Sequence, residues 1–402
     1  MPSHAERAPG RVRELFRVFL RLGLTSFGGP IAHLAYFREE FVGRRGWLSD
    51  TEFAQLLSVC QFLPGPASSQ MGFAIGLFRG GWRGALAAFV AFTLPSALLM
   101  FGFAAMAPSL GPGSGAAAVH GLKLVAVAVV AHGLLGMVRQ LVPDVPRVLI
   151  AAAAVATMLL IRSVWAPSIA IALGGLLGAL LCRRVTVPPA RAFPVRYGHR
   201  RGIAFLVAFL IGLAGALLWP STGVPTIAGL GAAFYRAGAL VFGGGHVVLP
   251  LLQQAVVENG WVDANGFLAG YGAAQAMPGP MFSMAAYLGA EVPLSLPAAA
   301  GALIGLLGIF LPGFLLLMAV LPMWARLTRH PWAPRTMAGI NAAVVGLLAA
   351  AFHDPVWTQG IRGPGDVAIA AIGFLLLVAV RVSAIWIVLW CITATIAISL
   401  LK

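Results

Sequence analysis

The chain has 402 residues, 60% of them hydrophobic and only 10% charged, with a mean hydropathy of +0.91. Soluble domains carry about 25% charged residues, so this composition excludes a soluble globular protein and points to an all-α chain that crosses a membrane many times. The net charge of +15 would suggest a nucleic-acid partner in a soluble protein; here most of it lies in loops between apolar segments, where it reads as retention on the cytoplasmic side and can help draw in an anion.

In chain order, the polar stretch 1–14 does not resemble a cleaved signal peptide, and the apolar segment 15–37 is interrupted at Gly28-Gly29-Pro30. A polar loop, 38–50, carries Arg38, Arg44 and Arg45. Segment 52–78 is interrupted at Pro64-Gly65-Pro66 and ends in the basic turn 79–83. Spans at 84–106, 119–138, 148–161 and 165–181 follow, the first two separated by the uncharged loop 107–117. Residues 183–201 hold six arginines and three prolines and form the natural boundary between two domains, 1–201 and 202–402. After one span, 203–219, the pattern restarts: 228–252 is broken at Gly243-Gly244-Gly245 and 266–290 at Pro278-Gly279-Pro280. Four spans, 298–321, 337–352, 367–380 and 383–401, complete the chain.

The two halves are copies of one another. Phe27 and Phe242, each opening an FGG run, stand 215 residues apart; Trp47 and Trp261, and Pro64 and Pro278, stand 214 apart; Pro95 and Pro312 stand 217 apart. Each copy ends its motif in Q-x-x-P-G-P, with Gln61 in one and Gln275 in the other. Loop charge separates the copies. The loops beside the first PGP segment hold Arg38, Arg44, Arg45, Arg79 and Arg83, whereas those beside the second hold only Glu258, Asp263 and Glu291. The positive-inside rule then turns the halves opposite ways, with the N-terminus cytoplasmic and 203–219 supplying the odd crossing. The expected fold is an inverted-topology repeat of roughly 9 to 13 membrane segments. Each broken segment is either a re-entrant pair of half-helices or one kinked crossing helix.

Gly and Pro stop helices inside the apolar segments, and backbone freed there must line a cavity or be buried in protein. A helix that restarts after such a break aims its N–H groups and the positive end of its dipole at that cavity, which suits an anion. The candidate substrate-binding residues are therefore Phe27, Gly28, Gly29, Pro64, Gly65 and Pro66 in the first half. Their counterparts are Phe242, Gly243, Gly244, Pro278, Gly279 and Pro280. Gln61, Ser68, Ser69, Gln70, Gln275 and Ser283 are neutral donors beside the breaks. Arg21 and Arg236 are a matched basic pair ahead of the FGG runs, and Lys123, which the repeat matches to Asn341, is a third cationic candidate. His33 and His246, just after the FGG runs, are candidates for coupling protons to transport; His132 reads as structural. Cys60, Cys182 and Cys391 have no C-x-x-C spacing and imply neither a disulfide nor a metal site. No phosphate-loop motif is present, which argues against ATP-driven pumping. The histidines lack an i,i+4 pair, which argues against a haem enzyme. A passive anion channel remains the structural alternative.

The run F-x-R-x-G-x-x-x-F-G-G followed by Q-x-x-P-G-P, present in two copies over nearly the whole chain, resembles the chromate ion transporter family in its long two-domain form. The resemblance implies a non-enzymatic secondary transporter of the inner membrane that needs no cofactor. It implies export of chromate, with resistance to it, driven by protons. Sulfate is the chemically similar oxyanion, and a homodimer is a further expectation. One departure is Gly245, which stands where the first copy has Pro30.

Overall fold

A computed structural model describes residues 10–107, 113–161, 163, 165–185, 193, 195, 197–220, 223–243, 245–327 and 330–400. The described residues contain helices and no strand. This is the expected solution for an apolar chain, because a helix pairs its own backbone groups where no water can.

The first half comprises α1 (Gly10–Thr25), α2 (Gly29–Arg38), α3 (Asp50–Phe62), α4 (Ala67–Met106), α5 (Ser114–Leu141), α6 (Val145–Leu160) and α7 (Ala166–Leu181). Helix α8 (His199–Leu218) links it to α9 (Ile227–Leu240), α10 (Val248–Leu252), α11 (Ala264–Ala276) and α12 (Met284–Glu291). The second half continues with α13 (Ala298–Val320), α14 (Trp324–Leu327), α15 (Trp332–Ala351), α16 (Thr358–Gly360), α17 (Pro364–Leu375) and α18 (Ala384–Leu400). Equivalent helices begin for equivalent reasons. Ser49 caps α3 in a reciprocal box with Glu52, and Asp263 caps α11 through the backbone N–H of Asn265 and Gly266. By length and composition, α5, α8, α13 and residues 332–360 are long and apolar enough to cross a membrane. Helix α4 is too, although its 40 residues are two helices that meet at Gly81 (φ 63°, ψ −154°).

Each broken segment turns back on itself. Glu14, near the start of α1, pairs with Arg45, just past α2, at 2.7 Å. Trp47, ahead of α3, has the Arg79 guanidinium 5.0 Å over its ring, from beyond the PGP break. In the second half, the Trp261 indole N–H donates to the Gly223 carbonyl at 3.1 Å, closing the base of α9–α10. The Tyr287 hydroxyl of α12 donates to the Gly266 carbonyl of α11 at 3.0 Å. A kinked crossing helix would hold its two ends roughly 30 Å apart. The sequence left both forms open, and these contacts select the hairpin.

Gly81 then reverses the chain into the second part of α4. Gly76 and Gly84 face one another so closely that a Cβ on either would run into the other's carbonyl oxygen. Gly289 of α12 and Gly301 of α13 repeat this contact. Between halves the packing is exchanged. Gly121 of α5 meets Cys391 and Thr395 of α18, while Gly339 of α15 meets Gly174 and Gly178 of α7. Phe73 of α4 stacks on Phe314 of α13 at 4.5 Å, and α12 lies along α4.

These glycines set the helix spacing. Gly289→Ala should therefore destabilise the detergent-purified protein by about 1–3 kcal/mol, as overpacking does. Gly102→Ala, where nothing lies within 4 Å, should leave its melting temperature unchanged or higher. Equal shifts for the two variants would contradict the packing described.

Candidate functional site

The four breaks are built alike. Helix α1 stops at Thr25, and the chain passes Gly28 (φ 100°) before α2 starts at Gly29 (φ 76°), with Pro30 in its first turn. Helix α3 gives way to extended Leu63 and then to Gly65 (φ 115°), and α4 restarts after Pro66. In the second half, α9 ends in extended Val241 followed by Gly243 (φ 76°); Gly244 lies outside the described residues. With glycine at 245 in place of proline, the chain re-enters helix through a 3-10 turn, Gly245–Val247, and continues through α10 to Val257. Helix α11 ends in extended Met277, and Gly279 (φ 90°) leads into a 3-10 turn, Met281–Ser283, before α12.

What joins the breaks is a pair of reciprocal hydrogen bonds. The Gly65 N–H donates to the Val241 carbonyl at 2.7 Å, and the Gly279 N–H donates to the Ser26 carbonyl at 2.9 Å. The glycine of each PGP thus bonds the residue just ahead of the other half's FGG. Positive φ aims these N–H groups outward, a conformation that only glycine adopts without strain. Space is equally limiting: a Cβ on Gly65 would lie 3.1 Å from Gly313 Cα, and one on Gly279 would lie 3.0 Å from Ser96 Oγ. Gly313 and Ser96 directly follow Pro312 and Pro95, so these contacts are equivalent too.

The Ser26 carbonyl accepts a second bond, from His33 Nε2 at 3.1 Å. A carbonyl can only accept, so Nε2 carries the proton, and Nδ1 of the neutral ring then accepts from the Ser68 hydroxyl at 3.4 Å. One buried histidine therefore ties the FGG and PGP of the first half to the PGP of the second. His246 is placed differently. Its Nδ1 lies 3.0 Å from the Tyr271 hydroxyl, and its ring packs on Gly133 of α5.

The remaining sequence candidates divide. Gln70 is committed to structure, donating to the carbonyls of Pro64 (2.8 Å) and Gly313 (3.0 Å). Ser283 donates to Pro280 within its own break, and the Gln275 amide lies 3.0 Å from Met281 Sδ. The prolines of both PGP runs are buried, Phe27 and Phe242 are half-buried, and Gln61 is exposed. Arg21 is exposed, whereas Arg236 is only 5% exposed. Lys123 stands apart from the breaks and donates to Asn265 Oδ1 at the start of α11.

Three hydroxyls that a ligand could satisfy lie among the breaks and the elements packed on them. The side-chain oxygens of Ser26, Ser69 and Thr93 are buried and have no hydrogen-bond partner among the described residues. Neither α2 nor α4 has a side-chain cap on its first-turn N–H groups. A buried hydroxyl left unpaired costs about 1–3 kcal/mol, and the set is neutral and donor-rich, with Ser69 in the first turn of α4, an arrangement that suits an oxyanion. Sequence reasoning missed Ser26 and Thr93. Their signal was proximity: Ser26 precedes the FGG run, and Thr93 precedes Pro95, the proline that the repeat matches to Pro312.

A family model described as "Chromate transporter" matches residues 13–179 and again 228–396. The chromate transport protein of Pseudomonas aeruginosa is 27% identical over 380 residues, covering 90% of this chain and 85% of its own. That of Cupriavidus metallidurans is 28% identical over 356 residues, covering 85% and 81%. The probable chromate transport protein of Synechococcus elongatus is 27% identical over 353 residues, covering 85% and 83%. No solved structure matches the chain.

Removing the unpaired hydroxyls should have opposite effects on the empty and the loaded protein. Ser69→Ala and Thr93→Val should each raise the melting temperature of the ligand-free protein, by up to about 1–3 kcal/mol of stability. Each should also shrink the further stabilisation that added chromate confers. A lower melting temperature with an unchanged chromate response would remove these hydroxyls from the site.

Proposed function

Since the chain belongs to the chromate transporter family, we propose that it is a secondary transporter that carries chromate out across the inner membrane, confers chromate resistance, and is driven by the proton motive force. The observation that carries this reading is the reciprocal pairing of Gly65 with Val241 and Gly279 with Ser26, which draws four helix breaks from two halves into one region. Neutral donors suit a dianion that must also be released, since transport needs binding strong enough to admit the ion and weak enough to let it go. Similarity to the chromate transport proteins of Pseudomonas and Cupriavidus supports chromate as the cargo. Sulfate has the same charge and nearly the same shape, and it is the competing substrate.

The halves, 1–201 and 202–402, face opposite ways in this reading, with the N-terminus in the cytoplasm. Basic residues at the hairpin bases of the first half (Arg38, Arg44, Arg45, Arg79 and Arg83) and acidic ones at those of the second (Glu258, Asp263 and Glu291) support that orientation. The four hairpins are then re-entrant, and their tips meet at depth. Arg21 and Arg236 lie one to two turns ahead of the FGG tips and favour the anion's approach.

His33 offers the proton coupling. Neutral, its Nδ1 holds the Ser68 proton; protonated, both ring nitrogens donate, and Ser68 must turn its own proton elsewhere. Charging His33 thereby resets the donor that Ser68 presents beside the breaks, which links proton binding to the site. His246, against Tyr271, is a second relay.

In inverted vesicles, an imposed acid-inside gradient should speed chromate uptake, and excess sulfate should compete. His33→Gln should retain chromate exchange yet lose most of the gradient response, about tenfold, as expected for removing a titrating group. Uphill uptake indifferent to the gradient would exclude proton coupling, and sulfate outcompeting chromate would reassign the cargo.

A further inference from the structure

The two halves carry equivalent elements but do not pack them equivalently. In the second half, α11 lies on α5: Leu268, Gly272 and Gln275 are buried, and a Cβ on Gly272 would run into the carbonyl oxygen of Leu122. Beside that contact Lys123 donates to Asn265. The residues 214 positions earlier on α3, namely Thr51, Ala54, Ser58 and Gln61, are all exposed. Their composition is not that of a lipid-facing surface. The exposed stripe of α4 is Leu86, Val90, Leu94 and Leu98, whereas this stripe is small and polar, so it lines water.

Other differences have the same sense. Arg21 is exposed while Arg236 is buried. A Cβ on Gly28 would meet only Ala32 of its own α2, while its counterpart Gly243 is wedged among Met137 and Leu141 of α5 and Asn341 of α15. The positions on α15 that correspond to Leu122 and Lys123 are Ile340 and Asn341, 218 residues later. Asn341 Oδ1 is buried with no hydrogen-bond partner among the described residues.

We propose that this is the state open to the arginine-rich side, that α11 seated on α5 and locked by Lys123–Asn265 is the gate on the far side, and that the opposite state forms when α11 leaves α5 and α3 closes on α15. In that second state Ser58 takes the place of Gly272, against Ile340, and Thr51 reaches Asn341. The inference rests on the transporter reading above. It adds that the balance between the states is written into two exchanged residue pairs. The far gate is closed by a charged donor, and hydrogen bonds to charged groups are roughly twice as strong as neutral ones. The near gate has only Thr51 and Asn341 for the same purpose. The far gate has Gly272, which lets two backbones touch; the near gate has Ser58, whose side chain holds them apart. Both exchanges favour an empty protein that waits open to the arginine-rich side. An exporter needs this bias, because its cargo enters from there.

The test is labelling with a membrane-impermeant maleimide, with no substrate present. Ala54→Cys, in inverted vesicles, should react quickly, and the equivalent Leu268→Cys, in right-side-out vesicles, should be protected. Adding Lys123→Ala should raise labelling at 268 and lower it at 54, each by about tenfold, the effect of losing a hydrogen bond to a charged group. If Lys123→Ala does not reach the membrane, Asn265→Ala removes the same bond from an exposed position and should act alike. Installing the charge on the near gate, with Thr51→Asn and Asn341→Lys, should protect position 54. Labelling at 54 and 268 that no gate variant alters, or protection at 54 in the parent protein, would overturn the proposal. Chromate added afterwards separates the two readings: a correct gate pattern that chromate leaves unmoved retains the gate and removes the cargo.

Discussion

Everything in this protein depends on one constraint: a backbone group interrupted inside an apolar layer must find a partner, and there is no water to provide one. Four helices stop at depth here. Their stops are tolerable because each half completes the other, Gly65 bonding Val241 and Gly279 bonding Ser26. The same bonds bring the helix restarts together, so the device that makes the breaks stable also assembles the candidate site. Glycine is required at these points twice over, for the positive φ that turns the N–H across the interface and for the absence of a Cβ against Gly313 or Ser96.

Packing around that centre follows the same rule. Without a hydrophobic drive between helices in lipid, close approach through small residues holds a bundle together. Gly76 with Gly84, Gly289 with Gly301, and Gly339 with Gly174 and Gly178 are such approaches. Aromatic residues fill what the glycines leave, as where Phe73, Phe89, Phe310 and Phe314 lock α4 against α13.

Much of this was legible in the sequence. The FGG and PGP runs recur at a near-constant offset, and the helix breaks fall where Gly and Pro said they would. Re-entry was left undecided because helix length alone fits half a crossing or part of a kinked one. It took Arg79 over Trp47, and Tyr287 on Gly266, to bring the hairpin bases together. The site was legible only in outline. Gln70 looked like a free donor but spends its amide on Pro64 and Gly313. Lys123 looked like an anion partner but binds Asn265, which no local pattern connects to it. Such pairings join residues far apart in the chain, and nothing in a motif's own neighbourhood encodes them.

The exchange of α5 onto α18 and of α15 onto α7 has a consequence for how small such a protein can be. Half of this chain has the right helices, the right breaks and the right glycines, yet the surfaces around its breaks and along its long helix α5 or α15 are shaped for the other half. Alone, it would leave two broken backbones unpaired and two long helices without their seats. The minimal unit that can close the site is therefore two halves, whether one gene joins them or two separate chains meet in the membrane.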